Sequence, residues 1–202
     1  MKLTNVMLDL ETMGRGPDAA IVAIGAVEFG LSESGAEVLG RSFYRVVDLD
    51  SSVHHGGVMD AETVLWWLGQ GEAARRELID RQAVNLPEAL QEFACFIGQP
   101  GPQPYLWGNG AGFDNVILRR AYERLDVPPP WVHWHDRCFR TVRAENAHVP
   151  APERRGTHHN ALDDAMHQAR HLMAIWRSRM AVIPAGSGLV ITGPIVIPAH
   201  AG

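Results

Sequence analysis

Cysteine is scarce in this chain of 202 residues: Cys95 and Cys138 are the two present, in stretches that read as helical and without paired spacing. That excludes a zinc ribbon and a disulfide framework, and it fits buried thiols in a reducing cytoplasm, the expected location. A long uninterrupted apolar run is also missing. The N-terminal apolar stretch is broken by Asp9 and Glu11, unlike the core of a signal peptide, and no targeting signal is visible. The uncharged stretch from Ala181 to Ala199 contains Pro184, Gly186, Gly188, Gly193, Pro194 and Pro198, breakers that argue against a membrane helix. Positive charge is not in excess either. The formal net charge of -5 is unlike the basic surface of a protein that binds nucleic acid by phosphate neutralisation alone, although bound divalent cations would change the local sign. No internal repeat is present, and the length suits one domain with a sizeable core. The expected division is a domain over residues 1–180 and an apolar, Gly- and Pro-containing extension over 181–202.

What the chain does have is a set of acids in the order D-x-E, D, H and D. Asp9 and Glu11 stand in LDLET at the end of an apolar run, Asp114 in GNGAGFDN, and His159 with Asp164 in HNALDDA. Three carboxylate stations and one histidine are the equipment of a two-metal phosphodiesterase, in which paired cations about 3.5–4 Å apart serve a displacement at phosphorus. Lys2 to Leu10 reads as a strand, with Thr12 through Pro17 as the exit loop. Side chains two apart on a strand share a face. Asp9 and Glu11 would thus project together at the strand's C-terminal end, where sheets with parallel strands carry ligand sites. Hard cations such as Mg2+ or Mn2+ prefer these oxygen ligands.

Leu106 and Trp107 read as the end of a buried strand, and the glycines after them permit a sharp turn and a close ligand approach. Asp114 then begins a helix carrying Phe113, Val116, Ile117, Leu118, Ala121 and Leu125. By itself Asp114 also reads as an ordinary first-turn carboxylate favoured by the helix dipole. His159 precedes Asp164 by five residues, which on a regular helix separates them by about 140°. His159 is therefore expected on the incoming loop, reaching back over the site, where a near-neutral imidazole suits general-base activation of water.

Candidate substrate contacts are Thr12, Asn109, Phe113 and Trp66. Aromatic faces stack on unpaired bases at about 1–3 kcal/mol per base. Trp66 and Trp67 are neighbours on a helix and point in different directions, so one is a core residue and the other a candidate platform. Asp163 competes with Asp164 for the ligand role; the spacing from His159 favours Asp164 and leaves Asp163 facing solvent or supporting the site from behind. His133 and His135 alternate beside Asp136 in HWHD, a pattern some zinc sites share and ordinary strand-face histidines share too. His54 and His55 fall in a loop, a solvated position with phosphate contact as the alternative.

Further strands are expected over Ile21 to Phe29 and Ser42 to Val47, with Gly30 to Gly35 as the connection. Helices are expected over Ala61 to Leu68 behind Asp60 as N-cap, Glu72 to Asp80, Pro87 to Ile97, Arg137 to Asn146 and Ala161 to Arg179. Pro128, Pro129 and Pro130 break the Asp114 helix, and Trp131 to His135 reads as a short final strand. Val190–Ile191 and Ile195–Ile197 could form short strands in the tail. Strands first and alternating helices afterwards give an α/β class with a central sheet.

These motifs resemble the DEDDh branch of the DEDD exonuclease superfamily, in which a histidine stands five residues before the last acid. Within it, LDLETMGRGPDAAIVAIGAVEF, TVLWWLGQ, WGNGAGFDNVILRRAY and DRCFRTVR are similar to the small bacterial and phage 3′-to-5′ exoribonuclease group, a likeness spanning about residues 3 to 178. The resemblance implies an RNase H-like mixed sheet flanked by helices. It implies Asp9, Glu11, Asp114 and Asp164 as ligands of two divalent cations, Mg2+ or Mn2+, and His159 as general base. It also implies release of nucleoside 5′-monophosphates from 3′ ends of single-stranded RNA, or alternatively DNA, and it leaves a homodimer open. Other classes are a non-cleaving module that binds nucleic-acid ends and an internally cutting nuclease, which product size separates.

Overall fold

A computed structural model describes residues 3–79, 82–98 and 103–181. Strands β1 (Asn5–Thr12), β2 (Ile21–Leu31), β3 (Glu37–Val46), β4 (Tyr105–Gly108) and β5 (Asp136–Cys138) form one sheet of order β3-β2-β1-β4-β5. The first three make an antiparallel meander; β4 and β5 run parallel to β1. The helices are α1 (Leu49–His54), α2 (Ala61–Leu68), α3 (Glu72–Glu77), α4 (Leu86–Ile97), α5 (Asp114–Arg124), α6 (Phe139–Glu145) and α7 (Ala161–Ala181). The mixed sheet and flanking helices are the expected architecture.

The alternation of β1 places the site. Val6, Leu8 and Leu10 point to the face covered by Leu86, Leu90 and Phe93 of α4 and by Ile117, Leu118 and Tyr122 of α5. Met7 points the other way, into a cluster with Ala165, Ala169, Leu172 and Met173 of α7. Each fully buried large side chain contributes roughly 1.5–3 kcal/mol. Because the strand period is two, Asp9 and Glu11 continue the Met7 face and lie beneath α7. Ala161, Ala165 and Ala169 repeat at helical spacing and are fully buried, so small side chains let α7 sit close to the sheet.

One glycine sets that approach. Gly25 pairs with Asp9 across the β1–β2 ladder, and a Cβ on it would lie 2.2 Å from the carbonyl carbon of Ala161, at the first residue of α7. Only glycine permits this contact. Gly25→Ala is expected to push the start of α7 off the sheet, costing roughly 1–3 kcal/mol, or about 2–4 °C of Tm per kcal/mol in a chain of this size. A thermal melt that overlays the unaltered protein would contradict the role given to Gly25.

Several elements depart from the sequence reading. β1 runs through Thr12, past the expected end at Leu10, so Thr12 belongs to the strand and not to its exit loop. β3 starts at Glu37, earlier than Ser42, because the hairpin turns tightly through Ser32 to Ala36 with Gly35 at φ +78°. α1 had no apolar periodicity to announce it; Asp48 caps it by accepting from the Ser51 N–H at 2.7 Å, and His54 lies in its last turn. α4 begins behind Asn85, whose side chain accepts from the Glu88 N–H. α3 ends at Glu77, and Asp80 lies outside the described residues.

The expected strand from Trp131 to His135 is a correction: His133–His135 is a 3-10 turn, and β5 begins at Asp136. Trp131 is buried in the core, and its indole N–H donates to Asp136 at 2.8 Å, which turns the chain before the strand starts. Asp136 also accepts from Asn115 and Arg119, so its carboxylate is committed and not available beside His133 and His135 for zinc. The tail strands expected at Val190–Ile191 and Ile195–Ile197 lie outside the described residues. Among the described residues, no helix is long and apolar enough to cross a membrane.

Candidate nuclease site

At the C-terminal end of β1 the sheet opens. The β1–β4 pairing stops at Met7 and Trp107, which leaves the Leu10 N–H without a strand partner. Asp114, at the start of α5, accepts that N–H at 3.2 Å through one carboxylate oxygen and the Asn109 N–H at 2.9 Å through the other. Its carboxylate is thus oriented by backbone from two separate strand ends, and Asp114 is 2 % exposed. Asp114 is more than the ordinary first-turn acid that its helix position alone allows.

The N-terminus of α7 supplies the other half. His159 stands in the turn before the helix with φ +63°, a left-handed conformation that costs a non-glycine residue on the order of 1–3 kcal/mol and persists where surroundings enforce it. Its backbone N–H donates to Asp164 Oδ2 at 3.1 Å. Asp163, expected to face solvent or support the site, holds the same loop: it accepts the Thr157 N–H at 2.7 Å, and Gly156, at φ +84°, packs against its carboxylate with no room for a Cβ.

These elements converge on a cavity of about 840 Å3 whose lining includes Asp9, Glu11, Asp114, His159 and Asp164. Ligand atoms of Glu11, His159 and Asp164 lie within 4.8 Å of one another. Burial foremost, then the charges of Asp114 and Glu11, hold Asp9 well above the usual carboxylate range. Burial pushes Asp114 up to about 7, against the hydrogen bonds from Leu10 and Asn109. Burial, with the neighbouring His158 and Arg154, holds His159 below the ordinary imidazole value, so it is a neutral proton acceptor near pH 7. Buried carboxylates that repel one another are the donor set a hard dication stabilises. Asn109 Oδ1 and Gln168 Oε1, on residues lining the same cavity, are also buried acceptors without a hydrogen-bond partner. The residues present fit divalent cations.

Among the candidate substrate contacts, Asn109, Phe113 and Trp66 line the cavity. The two tryptophans separate clearly. Trp67 is 3 % exposed and donates its indole N–H to the Thr12 carbonyl, whereas Trp66 is 46 % exposed and stands edge-on to His159 at 4.8 Å between ring centroids. Thr12 departs from expectation: it is buried, its hydroxyl donates to the Gly14 carbonyl at 2.7 Å, and it is not part of the cavity wall. His54 and His55 do not line the cavity either.

Sequence reasoning missed Gln168, whose amide donates to Asp9 at 2.7 Å. It lies one helical turn after Asp164, a spacing that could have flagged it. It also missed Arg140, Arg143 and Arg154, which line the cavity and give it a cationic wall despite the net charge of -5. Arg140 is tied down by donating to the Asn109 carbonyl at 2.6 Å.

Residues 4–176 match the family described as the 3′-5′ exoribonuclease Rv2179c-like domain. The chain is 27 % identical over 120 residues to the exodeoxyribonuclease of Enterobacteria phage T4, covering 55 % of this chain and 52 % of that protein, so the chain spans about half the length of that curated relative. Among solved structures it resembles the nuclease domain of 3′hExo, a DEDDh family member bound to rAMP, with a TM-score of 0.56 at 15 % identity over 86 % of this chain and 91 % of that one. It also resembles a 3′-exonuclease whose structure concerns 3′-end-specific recognition of a histone mRNA stem-loop, with a TM-score of 0.54 at 13 % identity over 86 % and 81 % of the two chains. At such identities these neighbours show the fold, that of the RNase H-like exonuclease domains. With the family matched over nearly all of the described residues, the chain belongs to the Rv2179c-like 3′-5′ exoribonuclease domains.

Proposed function

We propose that this chain removes nucleotides from the 3′ end of single-stranded nucleic acid, RNA in preference to DNA, releasing nucleoside 5′-monophosphates with His159 as general base. The observation that carries the reading is the convergence of Asp9, Glu11, Asp114, His159 and Asp164, drawn from three distant segments, on one cavity. Asp9, Glu11, Asp114 and Asp164 would hold two divalent cations, Mg2+ or Mn2+, which when bound supply activation of the attacking water and stabilisation of the departing 3′-oxygen.

The chain's own residues supply the rest. His159 takes the proton of the attacking water on a ring nitrogen, which its depressed basicity leaves unprotonated at neutral pH. Asp164, by accepting the His159 N–H, fixes the backbone that carries the imidazole. Gln168 fixes the rotamer of Asp9 through its amide. The exposed face of Trp66 offers a stacking surface for the terminal base, and Arg140 and Arg143 place positive charge along the strand's path.

The family's description supports RNA, as do two structural neighbours, one bound to the ribonucleotide rAMP and one concerned with recognition of a histone mRNA stem-loop. The phage exodeoxyribonuclease supports the DNA alternative. A time course on matched 5′-labelled RNA and DNA with Mn2+ is expected to give a ladder shortening from the 3′ end, faster on RNA. Internal fragments would favour an endonuclease, no cleavage a non-cutting end binder, and faster loss of the DNA ladder the alternative substrate. His159→Ala is expected to slow cleavage by about 10²–10⁴ while calorimetric Mn2+ binding is retained. Loss of Mn2+ binding would instead make the imidazole a ligand, a role within reach of its distance to Glu11 and Asp164.

A further inference from the structure

The loop between α6 and α7 brings a cation into the acid nest. Arg154 forms an ion pair through Nη2 with Asp164 Oδ1, both side chains being mostly enclosed. The two oxygens of Asp164 are therefore divided: Oδ2 accepts the His159 N–H, and Oδ1 faces the guanidinium. The Arg154 charge also acts on Asp9 across the cavity. Its Nε is buried without a hydrogen-bond acceptor, so the fork of this arginine is only partly used, although guanidinium forks are suited to two-point binding of carboxylate or phosphate. The loop itself is tethered downstream by Thr157 and His159 on Asp163 and Asp164. Arg154 stands before those tethers, so its side chain can exchange partners without loss of the His159 turn.

We propose that Arg154 is a built-in counter-cation: it occupies Asp164 Oδ1 when divalent ions are absent and passes to a phosphate of the bound strand when they load. Because the guanidinium pairs with a carboxylate that would hold a cation at this site, guanidinium and dication compete for Asp164. Clustered buried carboxylates without a positive charge destabilise a fold, which gives Arg154 a task in the cation-free protein. The released fork, beside Arg140 and Arg143 on the cavity wall, then meets a polyanion. This inference rests on the cation site assigned under the proposed function.

Titration of the intact chain with Mn2+ alone, by calorimetry and without nucleic acid, tests it. Arg154→Gln is expected to bind Mn2+ about tenfold more tightly than the unaltered protein, the scale of ordinary coupling between sites, and to show a raised KM for a single-stranded oligonucleotide. Arg154→Lys keeps the charge without the fork; it is expected to bind Mn2+ as the unaltered protein does and to share the raised KM. A variant that had merely lost packing would bind the cation more weakly, so tightening separates competition from damage. Unchanged or weaker Mn2+ binding by Arg154→Gln would overturn the inference, as would an unchanged KM in both variants. Asp164→Asn is the control for the underlying site: if it binds Mn2+ like the unaltered protein, the cation assignment fails and the inference with it. If it loses binding while Arg154→Gln fails to tighten, the assignment stands and the counter-cation role alone falls.

Discussion

Replacing Asp114 by alanine is expected to lower exonucleolytic turnover by about 10³-fold or more, the scale seen when one member of a catalytic unit is removed. Two losses combine in this variant. The carboxylate leaves the nest that would hold the cations, and the Leu10 and Asn109 N–H groups lose the acceptor that satisfies them. Each buried donor left unpaired costs about 1–3 kcal/mol, so folding has to be measured beside activity. Asp114→Asn separates the two effects: it keeps one carbonyl acceptor and the side-chain volume but removes the charge. Circular dichroism matching the unaltered protein, with cleavage lost, assigns the defect to chemistry; near-normal cleavage by either variant would sink the assignment of Asp114.

The second large effect is in stability. Asp114 titrates at about 7 in the folded chain against an ordinary value of 3.8, so between those limits the folded state holds its proton more firmly than the unfolded state does. Its stabilising contribution is complete below about pH 4 and is lost as pH rises through 7. At about 1.4 kcal/mol per pH unit the difference reaches at most roughly 4 kcal/mol, on the order of 10 °C in Tm for a chain of this size. Without divalent ions, melting in chelator at pH 5 and pH 8 is therefore expected to show a marked fall for the unaltered protein and a smaller one for Asp114→Asn. Added Mn2+ is expected to restore the pH 8 protein and not the variant, because a cation binds the deprotonated carboxylate. Parallel pH profiles for the two proteins would contradict this account. Activity should also decline below about pH 7, as protons compete with cations at Asp114, and fall further at lower pH, where His159, held below the ordinary imidazole value, charges.

Both expectations follow from burial of acids that polar surfaces would normally leave in water. Burial raises the cost of charge, and the same burial makes a dication worth binding. A site assembled in this way is costly to the cation-free fold, and Arg154 and Gln168 are the side chains that moderate the cost through direct contact with Asp164 and Asp9. Stability and function therefore pull in opposite directions at Asp114.

By itself the sequence determined the first three strands, the strand before Asp114 and most of the helices, the shared face of Asp9 and Glu11 on β1, and the acids with their histidine. These are matters of local period: two along a strand, which joins Asp9 and Glu11 to the Met7 face, and 3.6 along a helix, which moves His159 off the face of Asp164. Elements held by capping and turns without an apolar repeat escaped it, as α1 and the 3-10 turn at His133–His135 did. Only the tertiary structure decided that Trp66 faces the cavity while Trp67 is core, that the Thr12 hydroxyl turns inward, and that Asp163 holds a loop. The same holds for Gln168 on Asp9, Arg154 on Asp164 and the α7 backbone against Gly25. Gln168 and Asp9 are 159 residues apart, and no local periodicity encodes such a contact. It exists because the crossing of α7 over β1, set by packing of alanines and a missing Cβ, brings two distant side chains to hydrogen-bonding range.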